Sequence, residues 1–520
     1  MFFFALIFIL FFIETYASTL VKTELLGGIT TGSYYTNFKL GSEENPTKML
    51  IDTGSGTFIL QSHTCSGCTP MSSNPYDKTQ STTASPIGCG SSECKSNTCS
   101  YDRCDGTCYA STRACCSKSD KSVCGFGVGY GDGTAGYGSM IRDNIMIQTT
   151  TGWSTPYPTA IGYLDRLSGT LGTVDGLLGL SYNTLGCTPS CFNTYFDDMI
   201  ATISGMNDIF TMCYGNAKGA VTYGGIDDNL YTGNITWIDL VTDGYYSVQF
   251  NDLRVKDNSV FTSSGSLKAI FDSGTTLLAL QSTVYNSLIK HFQANYCNLP
   301  GVCGSGEIFS NSCLTSSPSS EWPPIDIYLN GVYISLSPDL YFIPYTEYGK
   351  TYYCFGISSV PSNVGSLTIF GSTLMRGFTL IHDKEQDRIG IATPTSSCHV
   401  TVVGGINETS YKRWSILDYS FEIIVGCCAA IIIICCIVDI VKKRRSNRAP
   451  RFNNEKYSMK SNLIKQSHDT TNQELPTYQA PSYSSNSTTK TNLIPVATPI
   501  RSQPVKPNPI QYRSYGNPKE

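Results

Sequence analysis

Met49-Leu-Ile-Asp-Thr-Gly-Ser-Gly-Thr57 is the stretch whose reading decides the fold. An apolar run leads into Asp52, and a hydroxyl residue, a glycine and Ser55 follow. The same arrangement returns in the second half of the chain as Ala269-Ile-Phe-Asp-Ser-Gly-Thr-Thr276. A self-similar pattern can decide an architecture and is sought before other signals. Two units, each carrying one acid behind apolar residues, predict two lobes that face each other and give one Asp apiece to a common site.

The residues around each acid have a chemical use. Glycine lets the backbone of one loop come close to that of the other. The hydroxyls of Thr53 and Ser273 are placed to hydrogen-bond across the junction, with Gly54, Ser55, Gly274 and Thr275 completing the two loops. Two carboxyls brought that close cannot both ionise, so they share a proton and divide the roles of base and acid. Their titration belongs to the pair. A water held between Asp52 and Asp272 then loses a proton as it attacks a peptide carbonyl, and the protonated partner donates to the carbonyl oxygen. This route needs no covalent intermediate, no cofactor and no metal.

Composition agrees with a large extracytosolic β protein. The chain has 520 residues, 41% of them hydrophobic, which exceeds one ordinary domain and permits a large core. Only 15% are charged and the net charge is -4, so nothing points to nucleic acid as a partner. Short alternating runs set off by Gly or Asn predict an all-β fold; Gly244-Tyr-Tyr-Ser-Val-Gln-Phe250 and Ile325-Asp-Ile-Tyr-Leu-Asn-Gly331 are examples. Of 22 cysteines, four (Cys427, Cys428, Cys435 and Cys436) fall in a late apolar segment and eighteen precede it. Behind a secretory leader that even number reads as about nine disulfides in an oxidising compartment. Ten of them crowd between Cys65 and Cys124. Cys65-Ser-Gly-Cys68 and Cys115-Cys116 have spacings that also occur in metal sites, yet with so few histidines disulfides are expected. Their connectivity is open.

These motifs resemble the pepsin-like aspartic proteases from about Gly32 to Thr393. Asp52-Thr-Gly-Ser55 and Asp272-Ser-Gly-Thr275 match the two catalytic motifs of that family. Leu177-Leu178-Gly179 and Ile369-Phe370-Gly371 match the apolar-apolar-Gly segments that, in the family, form a ψ-shaped crossing behind each catalytic loop. Tyr130-Gly131-Asp132-Gly133 resembles the flap, a hairpin that closes over substrate, where the glycines let it bend and Tyr130 positions substrate and excludes water. Gly224-Gly-Ile-Asp227 with Tyr231-Thr-Gly233 is similar to the inter-lobe region, and residues 378–392 to the closing hairpin. The resemblance implies a Cys313–Cys354 disulfide and leaves Cys187 and Cys191 as a local pair. The cysteine insert is similar to the nepenthesin-type branch and to plasmepsin V, a membrane-anchored relative. Departures are Ile59 where the family often has Trp, Ser273 in place of Thr, and little room for a basic pro-segment before a first strand expected around Tyr34 to Leu40.

The remaining segments set the expected organisation. Residues 1–17 read as a signal peptide, apolar and ending in small residues, although without a basic start. Lobes are expected at 18–225, with the cysteine-rich insert at 65–124, and at 226–398. A juxtamembrane linker follows at 399–422. Residues 423–441 are nearly all Ile, Val, Cys and Ala, about the length that crosses a bilayer, and Lys442-Lys-Arg-Arg445 marks the cytosolic side. The tail at 442–520, rich in Ser, Thr, Asn and Pro, is expected to be disordered. The prediction is a monomeric single-pass type I protein of the secretory system, endomembranes or cell surface, with Asn234 and Asn407 as lumenal glycosylation acceptors. Its partners are a peptide or protein substrate and the membrane. The alternative is a catalytically silent surface receptor or adhesin of the same fold, binding ligand through the cleft or the insert.

Overall fold

The apolar runs before the two acids become strands covered on both faces. The computed structural model describes residues 18–408 except 44, 70–74, 96–103, 105, 110–113, 188–189, 242–243, 264–266, 305–306, 311, 361–366 and 401. Strand Thr47–Asp52 sends Met49 and Ile51 into the main core and Leu50 into a second core on its opposite face. Successive side chains of a strand point to opposite faces, so an unbroken apolar run marks a strand buried on both. The strand pairs antiparallel with Ser33–Leu40 and parallel with Gly176–Gly179, where Leu177 lies opposite Leu50 and Gly179 opposite Asp52. Gly176–Gly179 also pairs antiparallel with Phe58–Ser66. The returning strand is therefore threaded between the strand that enters the Asp52 loop and the strand that leaves it.

The second lobe repeats this device. Strand Lys268–Phe271 pairs parallel with Thr368–Phe370, Ile270 opposite Ile369 and Phe271 opposite Phe370. Thr368–Phe370 pairs antiparallel with Leu278–Leu280. Here Phe271 and Phe370 face the main core, while Ile270 and Ile369 face a smaller cluster with Val360. The alternating run at Ile325 is a strand, Ile325–Leu329, and it forms a hairpin with Val332–Leu336. Asn330 (φ 42°) and Gly331 (φ 101°) make its turn, which needs left-handed backbone at both positions.

One sheet joins the lobes. Ile209–Tyr214 pairs with Gly219–Tyr223 on one edge and with Thr379–Asp383 on the other, Phe210 lying opposite His382. Thr379–Asp383 and Arg388–Pro394 form the closing hairpin, and Tyr231–Asp239 pairs with Arg388–Pro394. The first strand is not the one at Tyr34. Val21–Gly28 precedes it and pairs with Gly219–Tyr223 through Val21 opposite Tyr223. That strand carries Lys22 and Glu24 and ends in two glycines, and its first five residues find their partner only in distant sequence, so no local signal set it apart.

Among the helices, Ser282–Asn295 was not anticipated. Val284, Leu288 and Phe292 are its buried residues, four apart on one face. Gln281 caps it, its side-chain oxygen accepting from the Thr283 N–H at 3.0 Å. Among the described residues no helix is long and apolar enough to cross a membrane. The expected span at 423–441 and the leader at 1–17 lie outside the described residues.

Among the described residues eight disulfides are present. Cys187–Cys191 and Cys313–Cys354 are bridged as expected. In the insert Cys65 joins Cys68, Cys89 joins Cys116, Cys94 joins Cys124 and Cys104 joins Cys115. Cys297–Cys303 and Cys213–Cys398 complete the described set. Cys89, Cys94, Cys116 and Cys124 pack with Leu50, Ile59, Phe126 and Tyr130, so the insert is part of the first lobe's second core rather than an appendage.

Candidate active site

Each acid is gripped by its own loop. The Asp52 Oδ1 accepts the Gly54 N–H at 2.9 Å and its Oδ2 accepts the Ser55 hydroxyl at 2.6 Å. Asp272 is held the same way, by the Gly274 N–H at 2.8 Å and the Thr275 hydroxyl at 2.6 Å. Both carboxyls are fully buried. Donors of this kind fix a carboxyl's orientation and stabilise its charged form.

The loops are clasped across the lobes by Thr53 and Ser273. The Thr53 hydroxyl donates to the Phe271 carbonyl at 3.0 Å and accepts the Ser273 N–H at 2.9 Å. In return the Ser273 hydroxyl donates to the Ile51 carbonyl at 2.7 Å and accepts the Thr53 N–H at 2.9 Å. Each side chain thus holds the residue before the opposite acid. A β-carbon on Gly54 would lie 2.5 Å from Asp272 Oδ1, and one on Gly274 would lie 2.5 Å from Asp52 Oδ1. Only glycine leaves room for each acid to sit over the opposite loop. The reciprocal approach of each carboxyl to the opposite loop's glycine brings the two acids close together. Burial first, and then the charge of Asp52, holds the Asp272 carboxyl well above the ordinary carboxylate range. One proton shared by two buried acids is the state this arrangement favours.

The ψ segments hold these loops at close quarters. The Leu180 N–H donates to the Asp52 carbonyl at 2.8 Å, and the Asp272 N–H donates to the Phe370 carbonyl at 3.1 Å. A β-carbon on Gly179 would meet Thr57 N at 2.3 Å, and one on Gly371 would meet the Leu277 oxygen at 2.3 Å. Leu177, Leu178, Ile369 and Phe370 are all buried beside them.

Tyr130 to Gly133 occupy the turn between strands Gly125–Gly129 and Ala135–Thr149, which pair antiparallel. The Tyr130 N–H donates to the Thr134 carbonyl at 2.7 Å, and Asp132 Oδ1 accepts the Thr134 N–H at 2.8 Å. Gly133, at φ 86°, takes the left-handed position. Tyr130 and Ile59 belong to the same buried apolar cluster of the first lobe.

A profile of the eukaryotic aspartyl protease family matches residues 33–394. The chain belongs to that family. It is 25% identical over 387 residues to pepsin A of Gallus gallus, covering 72% of this chain and 89% of the relative. It is 26% identical over 400 residues to aspartic proteinase 36 of Arabidopsis thaliana, covering 72% and 76% respectively. Gastricsin of Mus musculus is 28% identical over a shorter stretch of 226 residues, 42% of this chain and 54% of the relative. The protein is an aspartic endopeptidase.

In this protease several contacts at the site had no sequence signal. Thr276 lends its hydroxyl to the Gly32 carbonyl at 2.7 Å, a further bond between lobes outside the Thr53–Ser273 clasp. The Ser181 N–H donates to the Ser55 carbonyl at 2.9 Å. Tyr246 and Gly244, from the second lobe, reach the carbonyl of Leu180 and the hydroxyl of Ser181. Of the glycosylation candidates, Asn234 is exposed on strand Tyr231–Asp239. Asn407 lies on strand Gly405–Glu408, which pairs with Val332–Leu336; its side chain is outside the described residues.

Proposed function

We propose that Asp52 and Asp272 are the catalytic pair of a membrane-anchored endopeptidase working in an oxidising lumen or at the cell surface. The observation that carries the pairing is the reciprocal close approach of each carboxyl to the other loop's glycine. A water bound to both acids gives a proton to the ionised one as its oxygen attacks the peptide carbonyl carbon. The protonated acid gives its proton to the carbonyl oxygen. The tetrahedral gem-diol then breaks its C–N bond: the newly protonated acid gives its proton to the leaving nitrogen, and a hydroxyl of the adduct returns a proton to the other, ionised acid, which restores the shared proton. Ser55, Thr275, Gly54 and Gly274 orient the acids, while Thr53 and Ser273 keep the two loops at one spacing. The hairpin at Tyr130 acts as the flap.

Anchoring rests on residues 423–441 and the basic run that follows, with 1–17 as the leader and 442–520 as the cytosolic tail. The described disulfides support an oxidising compartment. Exposure of Asn234 supports its use as a glycan acceptor. The extended groove expected between two β lobes fits one peptide strand, and a monomer suffices because both acids come from one chain.

Two measurements test this reading. Asp52→Asn and Asp272→Asn, each in the whole ectodomain, are expected to lose at least about 10³-fold in kcat while still binding statine-type inhibitors. Peptide cleavage surviving either change would remove that acid from the catalytic pair; ligand binding without any turnover by the wild-type protein from acidic to neutral pH would move the reading to a silent receptor. Full-length protein is expected to stay with membranes through alkaline washing. Its release would remove the anchor from the proposal.

A further inference from the structure

Tyr246 bonds the strand that enters the Asp272 loop and the segment behind the Asp52 loop. It is fully buried at the entrance of strand Ser247–Gln249. Its carbonyl accepts the N–H of Phe271, the residue before Asp272, at 3.1 Å. Its phenol donates to the Leu180 carbonyl at 2.7 Å. Leu180 in turn donates its N–H to the Asp52 carbonyl at 2.8 Å. One residue of the second lobe therefore grips the strand that delivers its own acid and the segment that fixes the other lobe's acid.

A parallel arm runs beside it. The Ser181 hydroxyl donates to the Gly244 carbonyl at 2.8 Å, and the Ser181 N–H donates to the Ser55 carbonyl at 2.9 Å. Ser55 then bonds the Asp52 carboxyl. Gly244 stands at φ 90° with Thr184 Oγ1 2.6 Å from where a β-carbon would be, so the bend that aims both arms needs glycine.

The ring is fixed on its remaining sides. His382 meets it edge to face at 4.6 Å, Phe210 at 5.8 Å, and Tyr182 packs at 5.5 Å. Burial, and after it the neighbouring Tyr182, Asp208 and Asp197, push the phenol's ionisation well above its ordinary value, so it stays a donor across the working pH range. A buried donor of this kind is costly to leave without its acceptor, which favours one position of the 180–181 segment.

We propose that Tyr246 is a positioning residue for the reaction, setting the separation of Asp52 and Asp272 through Leu180 and Phe271. It works as a second bracket, separate from the Thr53–Ser273 clasp. This rests on reading the two acids as the catalytic pair.

The test is Tyr246→Phe in the ectodomain, with active sites counted by a statine-type inhibitor. The change keeps the ring packing and removes the bond to Leu180. The expected result is a kcat per titrated site about tenfold lower, with KM within about twofold of wild type. The two limbs of the kcat/KM–pH profile should also move toward each other, because acids held less tightly together couple less. Tyr34→Phe is the comparison. It removes another buried phenol, bonded to the Gly215 carbonyl at 2.5 Å, and should lower the Tm with kcat and both limbs unchanged. Should Tyr246→Phe give no titratable enzyme, Ser181→Ala removes the parallel arm and is expected to lower kcat about threefold with the same narrowing. Wild-type kcat and limbs in the folded variant overturn the inference. So does a Tyr34→Phe profile that matches it. Activity in Asp52→Asn would overturn the catalytic reading and this one with it; an inactive Asp52→Asn beside a normal Tyr246→Phe sinks only the bracket.

Discussion

At the residue scale, two glycines and one histidine make the sharpest statements. Gly274→Ala would put a β-carbon 2.5 Å from Asp52 Oδ1, against an acid that cannot retreat without breaking its bonds to Gly54 and Ser55. The expected outcome is a folded protein whose kcat falls by at least about 10²-fold, measured against titrated sites. His382 is buried, both ring nitrogens lack a hydrogen-bond partner among the described residues, and the ring stacks on Phe210 at 4.3 Å. Burial depresses its pKa to about 3. In the unfolded chain the ring takes a proton near its ordinary pKa, so the unfolded state binds more protons between those two values. The stability that comes from keeping it neutral is complete above about pH 6.5 and is lost as pH falls toward 3. By pH 4 this loss is about 3 kcal/mol. Denaturant titrations at pH 7 and pH 4 should show a smaller difference for His382→Leu than for wild type; equal differences would remove His382 as the cause.

At the scale of elements, the hairpin carrying Tyr130 rests on disulfides. Cys94–Cys124 ties the insert to the strand that leads into the hairpin, and both cysteines are buried in the cluster that contains Tyr130. Replacing both by Ala is expected to cost about 3 kcal/mol by the loop-entropy argument. The Tm should fall, and KM for peptides should rise more than kcat falls, because the hairpin's base is loosened while the acids keep their own bonds. A Tm drop with KM unchanged would separate the insert from substrate binding. The hairpin itself was legible in the sequence, since Gly and Asp in a turn between β-like runs have a local meaning. Its support was not, because the pairing of ten nearby cysteines is a matter of which side chains meet.

At the scale of the molecule, the lobes are held by shared strands and by one long-range bridge. Cys213–Cys398 closes a span of 185 residues and fastens the central strand Ile209–Tyr214 to the segment after Arg388–Pro394. Removing it is expected to destabilise the protein by about 5 kcal/mol in the chain-entropy model, with thermal unfolding as the readout. Because Ile209–Tyr214 also pairs with Thr379–Asp383, activity and Tm should fall in step as the sheet opens. A lower Tm with kcat per titrated site unchanged at low temperature would show that the bridge serves stability alone.

The sequence by itself determined the two acids, the glycines and hydroxyls beside them, the apolar strands leading in, and hence the two-lobed architecture. Those features are local and repeated, and each has a physical reason to stand next to the other in the chain. Tertiary structure alone decided that Val21–Gly28 is the first strand, that Cys213 joins Cys398, and that Tyr246 reaches Leu180. In each case the partners lie far apart in sequence, and a hydrogen bond or disulfide between distant groups leaves no periodicity to read. Charge at the site belongs to the same class: burial and the nearness of Asp52 raise the Asp272 pKa, and neither exists until the lobes have closed on each other.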